Sequence, residues 1–194
     1  MVSLYPPSHT MKQNILNPVT IRTAPAESRP TLEKIQKTFG FIPNLMATFA
    51  NSPTVLHGYL AMDAVWEKGT FSLIERNLVL LAASVVNNCE YCTAAHSTTL
   101  KAFLRVPAEI VAAVRNGKSL SDAKLDALVK YTKEIVEERG YVSEATLNQF
   151  LAAGYTAPQA IEVLIGVALK TVSNYLDHIS PAPLDDAFKG ESSN

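Results

Sequence analysis

The sequence predicts an all-α fold of about seven to nine helices. Apolar residues recur at helical spacing from Leu32 onward, and no strand-like alternation rises above them, so Val, Ile and Thr are absorbed into helices. Two stretches, Ser72-Leu73-Ile74-Glu75 and Thr156-Ala157-Pro158-Gln159, read as capping boxes that open long apolar runs. Stop signals at Gly40, Gly69, Asn116-Gly117, Arg139-Gly140 and Gly154 close the intervening segments.

Residues 1–30 contain Pro6, Pro7, Pro18, Pro25 and Pro30 without sustained periodicity, so an irregular arm is expected there, wrapped on a neighbouring subunit. Residues 31–180 form a single helical domain. Thr31 caps a helix to Phe39, with Leu32, Ile35 and Phe39 on one side. Asn44 starts a short helix through Leu45, Thr48 and Phe49, and Pro53 a longer one to Lys68. Tyr59, Met62 and Trp66 on the latter read first as core and second as a pocket lining. The run Ser72–Val86 is apolar nearly all round and should be central. A helix capped by Asn88 follows, through Leu100 and Phe103 to the break at Val106-Pro107. Three more start at Pro107, Ser121-Asp122 and Ser143. Thr156 opens the last, which reaches His178, and residues 181–194 read as a mobile tail.

Laying Thr156 on Ser72 puts Gln159 on Glu75, Val163 on Val79, Ser173 on Cys89 and Tyr175 on Tyr91. This echo suggests two similar helical halves, of which only the first keeps its thiols.

Composition narrows the class. With 194 residues, 47% apolar content and net charge -1, the chain is long enough for one good core, and nothing basic points to nucleic acid. Met1 to Thr10 lack a cationic start followed by an apolar run, and the longest apolar stretch, Leu78 to Val86, is too short to span a bilayer. A cytoplasmic protein without membrane contact is expected. In a reducing compartment the 2 cysteines point to a catalytic or reversible disulfide.

Those cysteines lie in Asn87-Asn88-Cys89-Glu90-Tyr91-Cys92-Thr93-Ala94-Ala95-His96. On a helix starting at Asn88, Cys89 and Cys92 face each other in the first turn, and His96 follows on the same side, within reach of the thiol proton directly or through a water. A free thiol with a pKa of about 8.5 is mostly protonated at neutral pH, whereas a helix N-terminus and an imidazole can lower it to roughly 3.5–7.5. Cys92 therefore reads as the nucleophile. A sulfenic acid formed on it would condense with Cys89 to a disulfide. Three other readings compete. The thiols could be buried hydrophobes, or zinc ligands with His96, although a fourth ligand would have to come from His9, His57 or His178. A thioredoxin-type motif fails, because no strand precedes Cys89.

The run Glu75-Arg76-Asn77-Leu78 through the CxxCxxxH signature resembles the AhpD-like alkylhydroperoxidase and carboxymuconolactone decarboxylase superfamily, in its peroxidase-related branch. The resemblance extends from about Phe39 to His178. It implies the AhpD-like helical fold, Cys92 as peroxidatic cysteine, Cys89 as resolving cysteine, and His96 in a proton relay. It also implies a homo-oligomer acting on a small hydroperoxide. A thiol reductant of lipoyl, thioredoxin-like or low-molecular-weight type would restore it, with no metal, haem or flavin cofactor.

Where the best-known members carry a relay glutamate, this sequence has Asn77, whose amide cannot pass on a proton as a carboxylate does. Glu75 lies about 200° around the helix and fits the capping box. Glu75 and Asn77 are thus relay candidates by position only, and Asp63, Glu67 or Glu162 could supply the carboxylate instead. Lactone decarboxylation, as performed elsewhere in the superfamily, and a zinc-stabilised interaction protein are the alternative functions.

Overall fold

The segment expected at the centre, α4 (Leu73–Val86), owes its start to local chemistry. Ser72 Oγ accepts from Glu75 N at 3.2 Å and Glu75 Oε2 accepts from Ser72 N at 2.9 Å, so the capping box forms as read. Leu78, Val79, Leu81, Ala82 and Ala83 are fully buried, as an apolar helix must be when neighbours cover every side.

The computed structural model describes residues 16–192, among which there are nine α-helices and no strand. Before α4 come α1 (Arg29–Phe39), α2 (Asn44–Phe49) and α3 (Pro53–Trp66); after it come α5 (Glu90–Thr98), α6 (Ala108–Arg115), α7 (Ala123–Glu137), α8 (Glu144–Ala152) and α9 (Ala157–Ile179). Helices α5, α6, α7 and α9 pack around α4, α3 lies on α9, and α8 lies against α7 and α9. A π-helical turn, Thr99–Phe103, continues α5 toward Pro107. The second capping box, Thr156 with Gln159, opens α9. Among the described residues no single helix is long and apolar enough to cross a membrane.

Of three apolar clusters, the first two draw on α4. Trp66, Phe71, Tyr131, Phe150 and Tyr155 gather with Val79 and Val163 on one side, and Leu81, Leu100, Val111 and Val114 on another. The third, built on Leu32, Leu45, Phe49 and Leu56, contains both cysteines.

The ends of the chain differ from the sequence expectation. Helix α1 begins at Arg29 with Pro30 in its first turn, while the expected cap Thr31 turns its hydroxyl to His57 Nε2 at 3.0 Å. Of the expected arm, residues 1–15 lie outside the described residues. The rest is laid on its own domain: Val19 N donates to Ala47 O at 3.2 Å and Leu16 N to Ser180 Oγ at 3.1 Å. The C-terminal segment, expected as a mobile tail, is held down through Glu191. Its short 3₁₀ turn, Asp186–Glu191, covers α5, with Phe188 edge-on to Tyr91 at 5.8 Å. Asp185 accepts from Tyr91 Oη and from Asn44 N, and Glu191 pairs with Lys101 and Arg115. Those partners are distant in sequence, so a polar stretch without periodicity concealed them.

Gly166 fixes how closely α9 approaches the centre. A Cβ there would lie 2.8 Å from Val79 Cγ1 and 3.0 Å from Trp66 Cζ2, both in packed core. Gly166→Ala therefore sets a helix-propensity gain of about 1 kcal/mol against overpacking of about 1–3 kcal/mol. We expect the clash to win and the urea midpoint to fall; a raised midpoint would show that α9 can step back freely.

Candidate functional site

The two thiols owe their places to the junction between α4 and α5. Asn88 adopts the left-handed conformation at φ 56°, which Asn tolerates better than most residues, and turns the chain sharply after α4. Cys89 then takes the extended geometry of an N-cap, with its Sγ accepting from Cys92 N at 3.4 Å. The cap is thus the first cysteine itself, one residue later than the sequence reading placed it. Both sulfurs sit in the first turn of α5, where free backbone N–H groups favour negative charge. Both cysteines are about as buried as core leucines, at 1% exposure.

Facing them is one stripe of α9. Lys170, Ser173, Asn174 and Asp177 recur at the spacing of a helix face, and all four are buried. Cys92 Sγ lies 3.8 Å from Ser173 Oγ, and the Cys89 thiol donates to Asp177 Oδ2 at 3.3 Å. Asn174 accepts from Asn87 Nδ2 at 3.0 Å, bracing the junction. Lys170 Nζ lies 3.0 Å from His96 Nε2. An ammonium has only donors, so His96 Nε2 accepts and its remaining proton is on Nδ1.

This geometry divides the pair. The Cys92 thiol is pulled below the ordinary thiol range, first by the hydrogen bond from Cys89 and then by the Lys170 charge and Ser173, against its burial. Cys89 is pushed far above that range by its bond to Cys92, by burial and by the negative charges of Cys92 and Asp177. Lys170 stays charged despite burial because Cys92, Tyr59 and Cys89 face it. Burial and the Lys170 cation press His96 well below the usual imidazole value, so it is neutral. The site rests as a Cys92 thiolate, a Cys89 thiol and a Lys170 ammonium.

Cys89 and Cys92 are brought together in one turn as the sequence suggested. The His96 imidazole, however, meets Lys170 rather than the thiol. Glu75 and Asn77 stand apart: Glu75 accepts from Ser72 N and from Tyr155 Oη at 2.9 Å beside Lys124, and Asn77 Nδ2 returns to Leu73 O. Glu162 is spent on Thr70 N and Oγ1, and the Glu67 carbonyl accepts from Arg76. Asp63 does feel Lys170, although burial and Glu67 outweigh it and raise its carboxyl above the usual range. Trp66 is core, Tyr59 stacks on Phe49 at 4.7 Å, and His178 stacks on Tyr175 away from the thiols. Among the described residues no three His, Cys, Asp or Glu side chains converge as a metal site.

Sequence reasoning missed Lys170 and Ser173 and underrated Asp177. The signal was present: a polar stripe at helical spacing inside an apolar helix. The internal echo had even laid Ser173 on Cys89. From the solvent side, a cleft of about 310 Å³ lined by Asn88, Glu90, Thr93, Arg115 and Asn116 ends on Cys89.

These features define an all-α domain with an asymmetric thiol pair set between two helices. Residues 53–134 match the carboxymuconolactone decarboxylase family. The fold is also that of an alkylhydroperoxidase AhpD core structure, an uncharacterized peroxidase-related protein from Ralstonia eutropha JMP134. That likeness has a TM-score of 0.78 and 22% identity over 89% of this chain and 94% of that one. An uncharacterized peroxidase-related protein from Silicibacter sp. TM1040 matches with a TM-score of 0.76 and 16% identity, over 94% of this chain and 98% of that one. The debrominase Bmp8 matches with a TM-score of 0.76 and 15% identity, over 93% and 97%. No curated protein matches the chain. These likenesses show an AhpD-like all-α fold, with the carboxymuconolactone decarboxylase match confined to residues 53–134.

Lys170→Met tests the electrostatics directly. Removing the cation should move the pH at which Cys92 is half-alkylated by iodoacetamide upward by about one pH unit or more, since an adjacent opposite charge favours the ionised form. An unchanged profile would mean that Lys170 is only packing.

Proposed function

We propose that the protein is a thiol-dependent hydroperoxide reductase working through a Cys89–Cys92 disulfide cycle. The observation that carries this reading is the split of the pair: Cys92 opposes the buried Lys170 ammonium while Cys89, one turn earlier, keeps its proton. In the first step the Cys92 sulfur bonds to the terminal peroxide oxygen and the O–O bond breaks. The departing alkoxide takes a proton from Lys170, which regains one from water while His96 Nε2, an acceptor, holds it in place. Cys89 then displaces the sulfenic oxygen as water and closes the disulfide. An external thiol reductant opens it again, giving up two electrons and becoming a disulfide itself.

The cleft favours a slender reductant, a low-molecular-weight thiol or a lipoyl arm, entering beside Glu90 and Arg115 to attack Cys89. Cys92 is then the leaving thiolate, and a low-pKa thiol leaves faster. No metal, haem or flavin enters the scheme, and a cytoplasmic setting would keep both thiols reduced. Lactone decarboxylation is less favoured because Lys170 already engages His96 Nε2, and a zinc ion would have to displace that ammonium. A homo-oligomer accords with Ile161, Leu164, Tyr175 and Ile179 standing exposed on α9.

The reading is tested by counting free thiols after one equivalent of cumene hydroperoxide is added to reduced protein. Wild type should lose both thiols within seconds to minutes, and Cys92→Ser neither. If wild type keeps both but converts 2,3,4-tribromopyrrole, the ligand in a complex of the debrominase, the pair serves reductive dehalogenation and the hydroperoxide reading falls.

A further inference from the structure

Disulfide closure must remove a proton from Cys89, and the structure offers that proton two acceptors. One is the Cys92 thiolate, whose charge raises the Cys89 thiol's affinity for its proton. The other is Asp177 Oδ2, 3.3 Å from Cys89 Sγ. Once Cys92 is oxidised its sulfur is no longer an anion, and the first acceptor is gone. Among the described residues, the acceptor then in contact with the thiol is the carboxylate.

We propose that Asp177 is the catalytic base of the resolving half-reaction, taking the Cys89 proton as Cys89 attacks oxidised Cys92. This rests on the thiol cycle proposed above. It assigns the missing carboxylate to the last turns of α9 instead of to α4, and to the resolving thiol instead of the peroxidatic one.

The surroundings suit the task. Asp177 is 8% exposed, and its other oxygen, Oδ1, is fixed by Ala182 N at 3.0 Å, so Oδ2 is aimed at Cys89. Burial raises its carboxyl above the usual carboxylate value, bringing its basicity closer to that of a thiolate. The other charged groups acting on it are Glu90 on α5, which raises that value, and His178 on α9, which lowers it.

The step balances. The Cys89 S–H bond breaks, its proton goes to Asp177 Oδ2, and its electron pair forms the bond to Cys92 Sγ. The S–O bond of the sulfenic acid breaks, and the oxygen leaves with its own proton and one supplied by the Lys170 ammonium, as water. No further oxidant is needed, because the hydroperoxide has already taken two electrons from Cys92. Each sulfur thus has its own proton handler on α9, two helical turns apart.

The test compares wild type, Asp177→Asn and Asp177→Glu in two assays. In one, hydrogen peroxide is added with dimedone to trap sulfenic acid. In the other, methyl methanethiosulfonate places a methylthio group on Cys92 as a mixed disulfide, without any peroxide. Asn keeps an acceptor for Ala182 N, so an unchanged rate of Cys92 modification certifies the fold. The expected result in Asp177→Asn is that the Cys92 adduct forms at the wild-type rate, then persists, with closure slowed by about 10²-fold. Asp177→Glu should close faster than Asp177→Asn. Closure at the wild-type rate in Asp177→Asn, with either reagent, overturns the assignment. If peroxide leaves Cys92 unmodified while the thiosulfonate assay still shows slow closure, the base stands and the hydroperoxide reading alone falls.

Discussion

The site depends on one interaction, the Lys170 ammonium buried against the Cys92 sulfur. Taking such a cation out of water costs several kcal/mol unless an anion meets it. Lys170 is 2% exposed and its neutral neighbours, Ser173 and the His96 imidazole, cannot supply that charge. A Cys92 thiolate can. The two ionised forms stabilise each other, and His96 is left neutral because a second cation beside Lys170 would be opposed. Gly166 belongs to the same arrangement. It lets α9 close on Val79 and Trp66, and Lys170 follows one turn later.

Replacing a relay glutamate by a lysine reverses the local field. A carboxylate near a thiol accepts protons but raises the thiol's pKa, whereas an ammonium lowers it and offers protons. The Asn77 position is therefore not a gap in an otherwise standard relay. Its amide is committed to Leu73 O, outside the thiol cluster, and the charges that act on the thiols, Lys170 and Asp177, stand on α9. In the proposed cycle such a site would hold its nucleophile ionised at rest and have a proton ready for the leaving oxygen.

Much of this was legible in the sequence because helix punctuation is local. Ser72 with Glu75 and Thr156 with Gln159 form the boxes their spacing implies, and Gly40 ends α1 in the left-handed conformation expected of a helix stop. The CxxCxxxH run placed three site residues on one element. What escaped depended on contacts between elements. The choice between Asn88 and Cys89 as cap turns on a single left-handed residue. The segment 184–191 is ordered by Tyr91, Asn44, Lys101 and Arg115, which no local pattern links to it. On α9 the buried polar stripe carried no sign of what it faced.

Two cysteines in one helical turn would be nearly equivalent in isolation; α9 makes them different. It sets a cation against the second and a carboxylate against the first, and the two fields act in the same sense: Lys170 draws the proton off Cys92 and Asp177 keeps one on Cys89. The solvent cleft adds a third asymmetry, since it ends on Cys89. In the proposed cycle these agree on direction. The cysteine at the end of the cleft is the one whose partner leaves most readily, so reduction regenerates the thiolate where the cation waits for it. Reversing the charges on α9 while keeping both cysteines would make Cys92 the thiol at rest, and the sulfur approached from the cleft would be the nucleophile itself.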